Sequence, residues 1–251
     1  MQSDQIFTAV VFRCGNFVEG VYPMRRTSSQ TQTLVECAVL IALGTVFSVI
    51  KIIQMPFGGS VTLVAMLPLV LIGYRHGFKW GMGSALVFSL IQMFLGFGTV
   101  SAAFLPGDDQ MIWYLAILMT LLDYILAYCL VGLSGLFTDK KHPTRSLCLG
   151  ALTGTFLRYV CHFLSGYILW GSYGKWFFEE GIFDLSAWGS WAETLAGSIS
   201  SGILSSFNGT GLALIYSLFY NGCYMIPEII LTVTAAAILS KIPAVRKELL
   251  S

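Results

Sequence analysis

Long apolar segments recur along this chain, and they constrain the fold more than any other feature. A hydrocarbon core about 30 Å thick is crossed by about 20 apolar residues in a helix, because a backbone facing lipid must satisfy its own hydrogen bonds. Six segments meet or approach that requirement: 33–53, 61–74, 80–97, 111–137, 146–170 and 212–239. Segment 61–74 is short for a crossing, and Pro68 is expected to interrupt it. The residue balance agrees, with 56% hydrophobic and 11% charged, against about a quarter charged in a globular protein. The sequence therefore predicts an all-α integral membrane protein with six transmembrane helices.

Basic residues orient the spans. Arg25, Arg26, Arg75, Lys79, Lys140, Lys141, Arg145, Lys241, Arg246 and Lys247 fall at alternate segment ends, consistent with one side. Only Lys175 and the edge residue Lys51 are basic on the other side. The positive-inside rule then places both termini in the cytoplasm, and the acidic connectors outside. The expected organisation is an N-terminal tail at 1–30, a six-helix domain at 31–240 with an external connector at 171–211, and a basic cytoplasmic tail at 241–251. Met24-Arg25-Arg26 reads as a more natural start than Met1, so residues 1–23 are expected to be an over-extended start or a disordered tail. Residues 54–60 read as a Pro/Gly turn and 96–110 as a Gly/Pro loop. Trp188, Trp191, Leu195 and Ile199 repeat at roughly helical spacing, which predicts an interfacial amphipathic helix within the connector.

Several classes are disfavoured. A formal net charge of +1 gives no nucleic-acid signature. The six cysteines show no CxxC spacing and read as small hydrophobes. No HExxH pair and no GxxxxGK[ST] loop occur, so no metal or other cofactor is predicted and the chain does not hydrolyse ATP itself.

The polar residues within the apolar segments carry the chemistry. Arg158, His162 and Gly166 share one helical face, with Trp170 a turn further on. Groups this polar are costly in a bilayer, so the face should look inward, onto a cavity or onto partners. Asp123 lies mid-depth in the fourth segment, and Tyr216 and Asn221 start the sixth from the outer side. These sets could converge on one pocket open to the exterior. An anion, aromatic faces and an amide suit a small, flat, cationic heteroaromatic ligand. Asn221 would donate and accept at once. Two readings of Asp123 stand open: a counter-charge for the ligand, or an ion pair with Arg158, and both could hold. Glu228 reads as structural. An intramembrane enzyme using His162 and Asp123 as acid and base is a further alternative. Ala38 and Ala42, one turn apart on the first helix, leave a shallow groove where another helix can approach closely.

On these motifs the chain resembles the thiamine-specific S components of energy-coupling-factor vitamin transporters. The resemblance covers about residues 33–240. It rests on Gly58-Gly-Ser-Val-Thr-Leu63 leading to Met66-Leu-Pro68, on Tyr74-Arg-His-Gly-Phe-Lys-Trp-Gly81, and on Leu122-Asp-Tyr124. It rests also on Arg158-Tyr-Val-Cys-His162 with Ser165-Gly166, and on Tyr216-Ser217 with Tyr220-Asn221. It implies a non-enzymatic subunit of a bacterial plasma membrane that binds thiamine and hands it to an energy-coupling module of two ATPase subunits and one transmembrane subunit. It implies ligand contacts by Asp123, Tyr124, His162, Gly166, Trp170, Tyr216 and Asn221, and partner docking by Ala38 and Ala42. An S component for another vitamin or a thiamine precursor is the close alternative. Asp123 stands where the family usually has Glu, one methylene longer, and the 171–211 connector exceeds the expected length. The family's tryptophan from the first external loop has only Phe57 as a positional counterpart.

Overall fold

The computed structural model describes residues 29–55, 59–107, 110–181, 190–243 and 245. Residues 1–28 of the expected N-terminal tail, Phe57, Asp108, Asp109, Trp188 and the last basic residues lie outside the described residues, as does the side chain of Trp191; Ser29 and Gln30 of that tail are helical.

Helix α1 spans Ser29–Val49 and leads into a two-stranded antiparallel ribbon, β1 (Lys51–Gln54) and β2 (Ser60–Thr62). Gln54 and Ser60, the ends of the expected Pro/Gly turn, thus pair across a hairpin, and the chain is not wholly α. After β2 the backbone turns through Val64 at φ 50, a left-handed conformation that costs a β-branched residue about 1–3 kcal/mol. Helix α2 (Leu67–His76) follows. Pro68 lies in its first turn, not its interior, where a missing N–H removes no helical bond. The predicted interruption is therefore a helix start. At about 1.5 Å per residue α2 is half a bilayer long, and Leu67–Tyr74 are all buried.

Gly77, at φ 82, ends α2 and reverses the chain into α3 (Phe78–Leu95). The expected 96–110 loop contains a helix, α4 (Phe97–Phe104). Helix α5 (Trp113–Phe137) widens to π-helical turns over Thr120–Leu126 and tightens to 3-10 geometry over Leu130–Phe137. Helix α6 is Pro143–Leu169. The 171–211 connector is mostly helical: short turns to residue 181, then α7 (Ser190–Ser206). Helix α8 (Gly209–Leu239) closes the bundle against α6.

Among the described residues, five helices are long and apolar enough to cross a membrane: Gln30–Val49, Phe78–Leu95, Trp113–Phe137, Pro143–Leu169 and Gly209–Leu239. Their outward faces are apolar, with Val46, Phe94, Ile168 and Ile230 more than half exposed. In water such a surface would be a liability; in lipid it is the solvated face.

Inside, small residues set the spacing. A Cβ on Gly132 would lie 2.8 Å from the Gly81 carbonyl oxygen, so α3 and α5 meet backbone to backbone. Polar ties hold the basic turns. Glu36 on α1 meets His76 Nε2 at 2.9 Å and Arg75 Nη2 at 3.3 Å. In the α5–α6 turn, Asp139 accepts from His142 Nδ1 at 3.0 Å and from the Lys141 N–H at 2.8 Å. These bonds, the one from His142 foremost, hold its carboxyl below the usual carboxylate range. Among the described residues the cysteines are free thiols.

Candidate functional site

A cavity of about 930 Å³ lies between the hairpin, α4, α5, α6 and α8. It gathers Asp123, Tyr124, His162, Gly166, Trp170, Tyr216 and Asn221, the residues that sequence reasoning singled out from three separate segments. It lies toward the ends of α5, α6 and α8 remote from the basic turns, since Arg75, Lys79 and Lys140–Arg145 take no part in its lining.

The acid sits on the π-helical stretch of α5, whose wide turn changes the direction of the side chains it carries. Asp123 Oδ2 accepts from the Ser165 hydroxyl at 2.6 Å, and Oδ1 lies 3.0 Å from His162 Nδ1. A carboxylate only accepts, so Nδ1 carries the proton and Nε2 is the free ring nitrogen. Nε2 is buried without a hydrogen-bond partner among the described residues. The hydroxyl bonds the acid and not the imidazole, so the arrangement lacks the Ser–His contact of a nucleophilic triad.

The suggested Asp123–Arg158 ion pair does not form. Arg158 is one turn below His162 on α6, and its Nη1 lies 4.0 Å from Oε1 of Glu228. Its Nη2 donates to the Tyr128 hydroxyl at 3.2 Å, and its Cζ lies 4.6 Å from the centre of that ring. Glu228 is structural, as expected, and fully buried. It carries out the pairing that Asp123 was a candidate for, because α8 brings it closer to Arg158 than α5 brings Asp123.

Asn221 is more constrained than its chemistry alone allows. Its Nδ2 donates to the Ser217 carbonyl at 2.9 Å and lies 3.1 Å from Ser217 Oγ. The Tyr224 hydroxyl donates to Oδ1 at 2.6 Å. With its donors engaged, Asn221 offers the cavity the remaining lone pair of Oδ1, so it presents an acceptor and not both functions. Gly166 owes its place to close packing: a Cβ there would lie 2.4 Å from Ser217 Oγ and 2.7 Å from Asn221 Nδ2. Tyr124 packs on Gly96, with its hydroxyl 3.4 Å from that carbonyl. Trp170 caps α6 and tilts against Tyr173 at 5.9 Å. Tyr216 is buried edge-on against Phe177 at 5.1 Å.

Sequence reasoning missed Ser165, Tyr220 and Tyr224 as individual site residues. A signal existed, since Tyr216, Tyr220, Tyr224 and Glu228 recur at i, i+4 on α8. Thr62 left no such trace. Its partner Glu228 is 166 residues away. Ala38 and Ala42 are exposed on α1, away from the cavity. The helix expected from Leu195 and Ile199 is α7, with both residues exposed.

Comparison with known proteins bears on this geometry. The family model described as thiamine transporter protein (Thia_YuaJ) matches residues 34–183. The thiamine transporter ThiT of Bacillus subtilis is 27% identical over 216 residues, covering 81% of this chain and 88% of that protein. The thiamine transporter ThiT of Lacticaseibacillus paracasei is 30% identical over 107 residues, covering 39% and 44%. A solved structure of ThiT from Listeria monocytogenes matches the fold with a TM-score of 0.58 at 19% identity, over 88% of this chain and 98% of that one.

Proposed function

The chain belongs to the thiamine transporter protein family, a non-enzymatic class of multi-pass membrane proteins, and from that premise we propose that it is the substrate-binding subunit of an ATP-driven vitamin uptake system. Thiamine binds in the cavity between the hairpin, α5, α6 and α8, and energising partners drive its release inward. The observation that carries this reading is the convergence of Asp123, His162, Trp170 and Asn221 on one cavity. A positively charged thiazolium meets the carboxylate of Asp123. An aminopyrimidine donates to the free lone pair of Asn221 Oδ1, and the rings of His162 and Trp170 supply flat faces, with Tyr124, Gly166 and Tyr216 completing the walls.

The topology follows from the same residues. The five long helices make five crossings, and the hairpin with the half-length α2 makes the sixth. Arg75, Lys79, Lys140, Lys141, Arg145 and Lys241 then share the cytoplasmic side with both termini, and the cavity opens outside. The membrane is a bacterial plasma membrane. The partners are two ATPase subunits and one transmembrane subunit, the last docking on the exposed Ala38–Ala42 face of α1, where small side chains let a helix approach.

The test is to purify the protein in mild detergent without added vitamin, identify co-purifying small molecules by mass spectrometry, and titrate thiamine calorimetrically. Thiamine is expected in the extract and in the titration. A different vitamin carried through purification, with no heat on adding thiamine, would replace the ligand named here.

A further inference from the structure

A carboxylate on a membrane helix is costly unless its oxygens are satisfied, and Glu228 of α8 is fully buried. Its Oε2 accepts the backbone N–H of Thr62 at 2.7 Å, and its Oε1 accepts the Thr62 hydroxyl at 2.7 Å. Both oxygens are thus spent on one residue of β2, with the Arg158 guanidinium at 4.0 Å as the counter-charge.

The strand it grips has one apolar anchor besides, Val61, which is buried in the cluster of Tyr216, Tyr220, Tyr224 and Met225. An isolated two-stranded ribbon is marginal, and every residue of β1 is exposed. A second contact lies beside the first. Gly59, at φ +81, seats its backbone on the Tyr224 ring, where a Cβ would come within 2.6 Å. Tyr224 in turn donates to Asn221 and stands edge-on to His162, with ring centres 5.9 Å apart. Just beyond Thr62 the chain passes through Val64 at φ 50, a conformation that persists only where its surroundings over-determine it. Gly59, Ser60 and Thr62 line the cavity, whereas Glu228 is absent from its lining.

We propose that Glu228 and Thr62 form a buried clasp that sets the β1–β2 hairpin as one wall of the ligand cavity, with Glu228 a positioning residue that acts on the ligand through the hairpin. This rests on the reading of the cavity as the thiamine site. The clasp joins the hairpin to the same helix that carries Tyr216 and Asn221, so both sides of the cavity are referenced to α8. Arg158 keeps the clasp charge-balanced from α6.

The experiment uses the full-length protein in nanodiscs, with Thr62→Val, Thr62→Ser and Glu228→Gln. Thr62→Val keeps the shape and the backbone bond but removes the hydroxyl donor to a charged acceptor. Amide hydrogen exchange is first read without ligand. Thr62→Val and Glu228→Gln should each speed exchange of a peptide covering residues 60–66 by about tenfold, in Thr62→Val with peptides of α6 and α8 unchanged, and Thr62→Ser should restore the wild-type rate. Thiamine is then titrated, and Thr62→Val should bind about tenfold more weakly, rescued to within about threefold by Thr62→Ser. Unchanged exchange over 60–66 in Thr62→Val overturns the clasp. Faster exchange with unchanged affinity overturns the positioning role. If Glu228→Gln fails to fold, the threonine pair decides alone. Failure of the wild-type protein to bind thiamine overturns the ligand reading and with it the role toward thiamine, while the ligand-free exchange still decides the clasp.

Discussion

Asp123→Asn separates a charge that binds ligand from a carboxylate that only organises its neighbours. Asparagine keeps the volume, and its oxygen can retain the hydroxyl bond from Ser165, 2.6 Å away in the native structure. Its amide nitrogen then meets His162 Nδ1, 3.0 Å from the native oxygen. Two donors cannot face each other, so the imidazole takes its other tautomer, with the proton on an Nε2 that has no partner among the described residues. The fold is kept and the negative charge is lost. A hydrogen bond to a charged group contributes about 1.5–3 kcal/mol, so thiamine affinity should fall by about 10–150-fold. An upper bound comes from Coulomb's law: two charges about 4 Å apart at an effective dielectric of about 20 interact by about 4 kcal/mol. A loss beyond that bound would signal damage to the fold. The assay is calorimetric titration of the variant with thiamine and with a neutral analogue lacking the thiazolium charge, alongside thermal unfolding. Thiamine should lose much more than the analogue. Equal losses for the two ligands would refute the charge contact and leave Asp123 as the support of His162 and Ser165. Unchanged thiamine binding would place the cation elsewhere.

Other outcomes follow from the same geometry. Gly166→Ala places a methyl 2.4 Å from Ser217 Oγ, so overpacking should cost about 1–3 kcal/mol of stability and weaken thiamine binding through Asn221, both read by a melting curve and a titration. An unchanged melting temperature in Gly166→Ala would refute the close contact. Replacing Ala38 and Ala42 together by Trp should abolish co-purification with the energising subunits and vitamin uptake by cells. Thiamine affinity of the isolated protein should stay within about tenfold, or 1.4 kcal/mol. Uptake at the wild-type rate would remove this face as the docking site. Single cysteines at Lys140 and Lys175 in a cysteine-free background should label from opposite sides of intact cells, and labelling from one side would refute the orientation.

What the sequence determined by itself was the part set by composition and period. Length and apolarity located the five long helices to within a few residues, because a helix in lipid bonds only to itself and needs no distant partner to define it. The i, i+4 spacing of Arg158, His162 and Gly166 fixed a polar face on α6, and tertiary packing turned that face toward the cavity. Three features were decided only by the fold. Thr62 is paired with Glu228 across 166 residues, a contact with no local signature, and it belongs to a hairpin where a span start was expected. Arg158 found Glu228 and not Asp123, because helix packing and the π-turn of α5, not charge alone, set which acid comes within reach. The amide of Asn221 is committed to Ser217 one turn back on α8, and the close approach of α6 at Gly166 packs against that pair. A sequence states which groups a site can contain; which of their donors and acceptors remain free depends on neighbours that only the packed helices supply.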